Sequence, residues 1–298
     1  MKSILQMDRD EILALEPSDQ RARKQLTPEE IIHIAKKLNA FWQYDYEAAK
    51  QGRVGLHAEL KSGLCSDGFF ISRILLEQDN ICEIFANQLA IKARTALCLT
   101  HTPIPDYAVG IPTGATRLGE KFARIIGAKP AEMQKVDGKI KLITKLQPGE
   151  TMILVEDFIT RGTGFAEAIQ EIEHCQPETK IYEWIPAIIN RGGLTEKHIC
   201  PIGMVYPLAI ANIRINDWLP EICPLCNMEP QKSPRIKPKA TNENWREITT
   251  SQLPKCRKAI IAPSIFFILT LIFYKYSGTY LSTYFSTYQN RAKIYAVF

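Results

Sequence analysis

Residues 153–164 read ILVEDFITRGTG. The apolar run Thr151–Val155 ends in the acidic pair Glu156-Asp157. Phe158-Ile159 follows, then Thr160-Arg161-Gly162-Thr163-Gly164, which opens the apolar-periodic segment Phe165–His174. A short continuous apolar run bounded by a turn is the pattern of a strand buried on both faces, and the segment after it has helical spacing. Open parallel sheets hold their ligands at the carboxyl ends of strands, which is where this chain delivers Glu156 and Asp157. Successive backbone N–H groups, two glycines and two hydroxyls at a helix N-terminus make an anion site. A carboxylate pair beside such a site suits sugar hydroxyls or a phosphate-bound Mg²⁺. A Gly/Thr turn by itself is an ordinary turn; the full run of strand, acids and turn is far more specific.

The chain alternates on both sides of this run. Upstream, Tyr107–Ile111 reads as a short strand, Thr116–Ile126 as a helix and Ala131–Gln134 as a brief strand. Downstream, Glu183–Ile189 and Met204–Ala209 read as further strands. This alternation predicts a largely parallel sheet with helices on both faces. Nearer the N-terminus, Thr27-Pro28-Glu29-Glu30 has the capping box and early proline of a helix start. Ile31, Ile34, Ala35, Leu38 and Trp42 continue it at helical spacing. Leu56–Ile71 reads as short strands around a turn at Cys65–Gly68, and Asn80–Arg94 as a helix. Residues 1–25 are polar and read as a loosely docked helix. After Trp218 the chain is rich in Pro, Lys and Cys, so residues 219–254 read as an extended arm with a short helix at Glu243–Gln252.

Composition bounds the rest. The chain has 298 residues and a net charge of +5. Six Lys/Arg and no Asp/Glu fall in 255–298; without them 31 basic residues face 32 acidic ones. The body is therefore nearly neutral, and no basic patch argues for nucleic acid. Met1–Glu30 is charged and lacks the apolar run of a signal peptide, so the expectation is a cytoplasmic protein with mostly reduced thiols. Residues 255–298 form a separate tail with an apolar run at Ala259–Tyr274. That run is shorter than the ~20 residues a spanning helix needs. Extended to residue 281, it reads either as a membrane anchor or as a frame-altered, non-native C-terminus. Cys223 and Cys226 form one CxxC, which cannot complete a tetrahedral zinc site alone. Cys200, His198 and Cys256 can add ligands, but their spacing matches no usual zinc pattern, so the pair reads as structural cysteines.

The 153–164 run resembles the ribose-phosphate signature of type I phosphoribosyltransferases, enzymes that use phosphoribosyl pyrophosphate (PRPP). Val109-Gly110-Ile111-Pro112-Thr113-Gly114-Ala115 looks like the family's pyrophosphate loop. The resemblance implies the type I fold, a mostly parallel sheet with flanking helices and a small hood, over 26–218. It implies that Glu156 and Asp157 hold the ribose hydroxyls, and that Thr160, Arg161, Gly162, Thr163 and Gly164 hold the 5′-phosphate. Gly110, Pro112, Thr113 and Gly114 meet the diphosphate, with Mg²⁺ bound mainly through PRPP. Glu156 stands where relatives usually carry Asp.

Leu60-Lys61-Ser62-Gly63 followed by Phe69-Phe70 resembles the orotate branch of that family. This implies Lys61 on the diphosphate or a carboxylate, Phe69 or Phe70 stacked on a flat pyrimidine, and Arg191 paired with the orotate carboxylate. The closing loop of orotate enzymes, with its Arg-Lys pair, further Lys and His, matches Met133–Lys141 incompletely. Lys135 matches one cation as a catalytic residue, Gln134 replaces the Arg, and no His is present. Lys139, Lys141 and Lys145 supply positive charge differently. The family implies a homodimer with loops crossing between subunits. Two alternatives stay open: a PRPP-binding regulatory protein without turnover, and transfer to another nucleobase.

Overall fold

A computed structural model describes residues 2–238 and 242–254. The central sheet uses β1 (Tyr107–Gly110), β2 (Lys129–Ala131), β3 (Thr151–Ile159), β4 (Trp184–Asn190), β5 (Lys197–Ile199) and β6 (Gly203–Asn212). Their spatial order is β5-β6-β4-β3-β1-β2, and the two-residue strand Lys180–Ile181 pairs with β3 to make seven. All pairings are parallel except β5 with β6. Three helices follow strands or cover the sheet: α1 (Asp79–Leu99), α2 (Thr116–Ile126) and α3 (Thr163–Cys175).

Strand alternation divides the core. Ile153 and Val155 point to the face covered by α1 and α2, where Phe85, Leu89, Leu118 and Phe122 are buried. Met152 and Leu154 point to the face covered by α3, against Phe165, Ile169 and Ile172. Because both faces are covered, β3 is apolar at every position from Met152 to Val155, as a fully buried parallel strand requires.

A small hood lies beyond the carboxyl edge. The Phe41–Gln43 strand pairs antiparallel with Gly68–Phe70, and His57–Glu59 pairs with Cys65–Ser66. The turn between the latter strands falls at residues 60–64, where Leu60 and Leu64 are hydrogen-bonded and Gly63 takes φ +83°. The expected turn at Cys65–Gly68 is therefore displaced to the LKSG segment. Asp67 is buried and accepts hydrogen bonds from Asn216 N (2.8 Å) and Asn216 Nδ2 (2.8 Å), in the segment after β6, and from Tyr46 Oη (2.9 Å) on the short helix Tyr46–Lys50.

Two expectations change. Residues 1–25 are not a loosely docked helix. They form three short helical pieces whose Ile4, Met7, Ile12, Leu15 and Ala22 are buried in the main core. Buried Gln88 of α1 bonds Leu26 N, Ala22 O and Lys24 O, so polar spacing hid an apolar anchor line. The 219–254 arm is likewise no appendage: Met1–Leu253 form one compact unit. Its Arg235–Ile236 strand pairs with His57–Ala58, and the helix Asn242–Thr250 buries Trp245 and Ile248. Residues 255–298, and with them the anchor reading of 259–281, lie outside the described residues. Among the described residues no helix is long and apolar enough to cross a membrane.

Candidate functional site

The carboxyl ends of three strands meet in register. Gly110 of β1 sits opposite Val155 of β3, and Ala187 of β4 opposite Glu156. Strand order reverses between β1 and β3, so the crevice there is the topological switch point of the sheet. The two predicted loops flank it, with the Glu156-Asp157 pair between them.

The glycines of both loops are fixed by close approach. A Cβ on Gly110 would overlap Ala115 O and lie 2.6 Å from its carbonyl carbon; one on Gly119 would lie 3.0 Å from Val109 C. Bare backbone at both positions lets α2 seat against the end of β1. A Cβ on Gly114 would overlap Asp157 Oδ2 and lie 2.7 Å from its Cγ, so this glycine admits the carboxylate to the loop. The Pro112–Thr113 peptide is cis. In the other loop Gly162 takes φ +64°, and its Cβ would strike the Phe165 ring. A Cβ on Gly192 would overlap Thr160 O, so the Arg191–Gly193 turn packs directly on the 160–164 backbone.

Neither α2 nor α3 has a side-chain N-cap, in contrast to the Thr27–Glu30 capping box at Pro28–Lys37. The first N–H groups of both helices have no partner within the helix, and the helix starts Thr116 and Thr163 each border a cavity, which suits anion sites. Lys197 of β5 braces the second loop, donating to Arg161 O (2.9 Å) and Gly162 O (3.1 Å).

The carboxylates are coupled. Burial holds the Glu156 carboxyl well above the ordinary carboxylate range, and the neighbouring Asp157 adds to the rise while the charge of Lys135 opposes it. A proton or a cation between the two relieves this repulsion. Asp157 Oδ1 also accepts from Phe158 N at 2.8 Å.

Two cavities open at this edge, of about 880 and 540 Å³. Phe69, Phe70, Thr113, Gly114, Asp157 and Arg191 line the larger. Lys61, Thr160, Arg161 and Thr163 line the smaller, which shares Phe69, Arg191 and Pro238 with the first. Arg191 Nε donates to Thr160 Oγ1 at 2.8 Å. Burial works against its charge and Asp217 favours it, yet among the described residues its guanidinium makes no ion pair within 4.0 Å. Asn190 is buried and bonds both N and O of Leu194, holding the turn that presents Arg191. The two phenylalanines differ. Phe70 is stacked on Phe41 (centroids 4.0 Å, 8°) and tilted on Phe158, within the main core. Phe69 belongs to the hood and borders both cavities.

Lys135 is within electrostatic reach of Glu156 but lines neither cavity. Residues 133–142 form an antiparallel hairpin, Met133–Val136 with Lys139–Leu142, turning through Asp137 and Gly138 at positive φ. The hairpin docks on α3 through Ile140 N to Glu167 (2.9 Å) and Lys141 to Glu171 (2.9 Å). Lys135 itself is exposed. Sequence reading missed Lys197, Lys237, Pro238 and Trp245 at the site. None has a local signature, since each acts through a partner far along the chain.

A parallel sheet carrying two capless anion loops around a carboxylate pair at its switch point is the type I phosphoribosyltransferase-like arrangement. Comparison with known proteins agrees in sequence. The chain is 26% identical over 185 residues to the orotate phosphoribosyltransferase of Caldicellulosiruptor saccharolyticus, covering 61% of this chain and 87% of that protein. It is 28% identical over 180 residues to the orotate phosphoribosyltransferase of Nitratiruptor, covering 57% and 85%. The chain is thus similar to the orotate phosphoribosyltransferases. Among solved structures, orotate phosphoribosyltransferase from Aeropyrum pernix aligns with TM-score 0.45 at 15% identity, over 61% of this chain and 93% of that one. No family model matches the chain.

Proposed function

We propose that this chain transfers the phosphoribosyl group of PRPP to orotate and releases diphosphate. The observation that carries the reading is Arg191. It is a largely buried guanidinium that makes no ion pair within 4.0 Å among the described residues, is hydrogen-bonded to the Thr160–Gly164 loop and borders both cavities. Such a cation suits an anionic, planar ligand, and its fork matches a carboxylate.

The loop from Thr160 to Gly164 takes the 5′-phosphate on its N–H groups, and Gly110–Gly114 with the start of α2 takes the diphosphate. Glu156 and Asp157 lie between and receive the ribose hydroxyls. The base rests against Phe69, with its carboxylate on Arg191 and Lys61 nearby. The base nitrogen forms its bond to the anomeric carbon and gives up its proton to solvent as the carbon–oxygen bond to diphosphate breaks, the electron pair leaving with diphosphate. Positive charge builds on the ring, so catalysis is positioning and electrostatics rather than covalent chemistry. The repelling carboxylates fit a hard divalent cation: Asp157 and Glu156 would hold Mg²⁺ with ligand oxygens. Bound there, it supplies charge that stabilises the departing diphosphate. The hairpin at 133–142 lines neither of the two cavities, and the reading includes the expected homodimer in which its exposed tip reaches a partner's site; gel filtration tests this.

The test is nucleotide formation from orotate and PRPP with Mg²⁺, alongside uracil, adenine and hypoxanthine, with Asp157→Asn as control. Product with another base but not orotate overturns the substrate. The position of Lys135 and the presence of Gln134 favour a second reading, a PRPP-binding regulator. Tight PRPP binding by calorimetry with no product from any base selects it.

A further inference from the structure

The CxxC of the arm does not stand alone. Cys223 and Cys226 meet His57 and Cys65 of the hood, their four ligand atoms lying within 4.8 Å of one another. Cys200 and His198, whose spacing matched no usual zinc pattern, are exposed and contact each other instead, at 3.8 Å. Cys256 lies outside the described residues. We propose that His57, Cys65, Cys223 and Cys226 form a structural zinc site that knots the C-terminal arm to the substrate-facing hood.

Distances support tetrahedral ligation. Zinc bonds of ~2.3 Å to sulfur and ~2.05 Å to nitrogen place S···S edges at about 3.8 Å and S···N edges at about 3.6 Å. The structure has Cys65 Sγ to Cys226 Sγ at 3.6 Å, and His57 Nε2 to Cys223 and Cys226 Sγ at 3.7 and 3.5 Å. The imidazole is preset for the task. Ser233 has one hydroxyl proton, which it donates to Gly55 O at 3.1 Å. Its oxygen therefore accepts from His57 Nδ1–H at 3.0 Å. That leaves Nε2 with its lone pair aimed at the two sulfurs, and a hydrogen-bonded second nitrogen is the usual support of a metal-ligating histidine. His57, Cys65 and Cys223 are fully buried and Cys226 partly so, which makes four protein ligands with no open position. Three thiolates and an imidazole select zinc, in a structural rather than catalytic role.

The knot acts on the substrate cavities. His57 and Cys65 bracket the turn that carries Lys61, and Cys65 lies four residues before Phe69. On the arm, the chain passes from Cys226 through Ser233 to Lys237 and Pro238 on the smaller cavity's wall. A cation at the knot fixes both walls at once.

The full chain, purified without metal-affinity resin from zinc-supplemented cells, should carry about one zinc per chain by elemental analysis. A mercurial thiol reagent should release it to a colorimetric chelator. Cobalt substitution should give thiolate charge-transfer and tetrahedral ligand-field bands. Cys226→Ser should lose the metal, whereas Cys200→Ser and His198→Ala keep it. Ser233→Ala retains all four ligands and should weaken cobalt affinity ~10–100-fold, so the proposal stays testable where Cys226→Ser misfolds. A chain that is zinc-free as isolated and gives no thiolate–cobalt bands overturns it. So does a Cys65–Cys226 disulfide found by mass spectrometry, or full zinc retention in Cys226→Ser.

Discussion

Gly114→Ala adds one methyl group and tests the central geometry. The new Cβ would lie 2.7 Å from Asp157 Cγ, where ordinary contact begins at 3.4 Å, and closer still to Oδ2. The carboxylate must retreat by about 0.7 Å or more, while its Oδ1 remains tied to Phe158 N. A displacement near 1 Å at a positioned group costs on the order of 10²-fold in rate, or about 2.7 kcal/mol of barrier. Gly114 does not have a positive φ, so the substitution adds no left-handed strain, and the melting temperature should stay within a few degrees. The assay is kcat/KM for nucleotide formation from orotate and PRPP, with thermal melts in parallel. Because the effect runs through Asp157, Gly114→Ala added to Asp157→Asn should cost little more than Asp157→Asn alone, giving a coupling near the full single-mutant loss. A well-folded Gly114→Ala with kcat/KM within threefold of the parent, or strictly additive losses, refutes the placement of Asp157 against this loop.

Lys197→Met removes both hydrogen bonds from Nζ to the Arg161 and Gly162 carbonyls and should raise the Kd for PRPP ~5–10-fold, about 1–1.4 kcal/mol, measured by calorimetry. Gly192→Ala sets a methyl group against the Thr160 carbonyl and should destabilise the fold by ~1–3 kcal/mol, read from urea unfolding. Arg191→Lys loses the forked geometry and should raise KM for orotate ~10-fold or more, with a smaller change for PRPP. The Glu156 carboxyl is held above its ordinary value, so the folded state binds that proton more tightly than the unfolded chain. Its contribution is present at low pH and is lost as pH rises through the raised value. Glu156→Gln should therefore increase the melting temperature over the parent more at pH 8 than at pH 4 in Mg²⁺-free buffer; equal differences at both would contradict the burial of this carboxyl.

The sheet was legible because its strands are buried on both faces and its loops are punctuated by glycine. Thr116–Ile126 appears with the bounds its periodicity implies, and Thr151–Val155 is extended to Ile159 only because the acidic pair remains in register with β4. The hood was legible only in part: Leu56–Ile71 reads as short strands, and the structure has them, but their partners could not be read. Its strands are two or three residues long and gain stability from cross-chain pairing, as in Trp42↔Phe69 and Arg235↔His57, which no local window contains. The 133–142 hairpin was obscured for a different reason: read against a family loop, its Asp137-Gly138 turn signal carried less weight than its lysines. The same blindness to distant partners hid His57 from the cysteine count.

Trp245 donates its indole N–H to Asn39 O at 2.8 Å, and with Asn242 and Pro238 it walls the larger cavity. The proposed grip on the sugar phosphate would be main chain, built into the sheet. Part of the wall where the proposed base would lie, opposite Phe69 and Arg191, is made of side chains contributed late in the chain. If the proposed function holds, inheritance can revise the two separately: substitutions at Lys237, Pro238, Asn242 and Trp245 would retune which flat ring is admitted, while the two loops, tolerant of almost no change at their glycines, would keep the donor constant. A lineage that changed its nucleobase would leave its record in the arm.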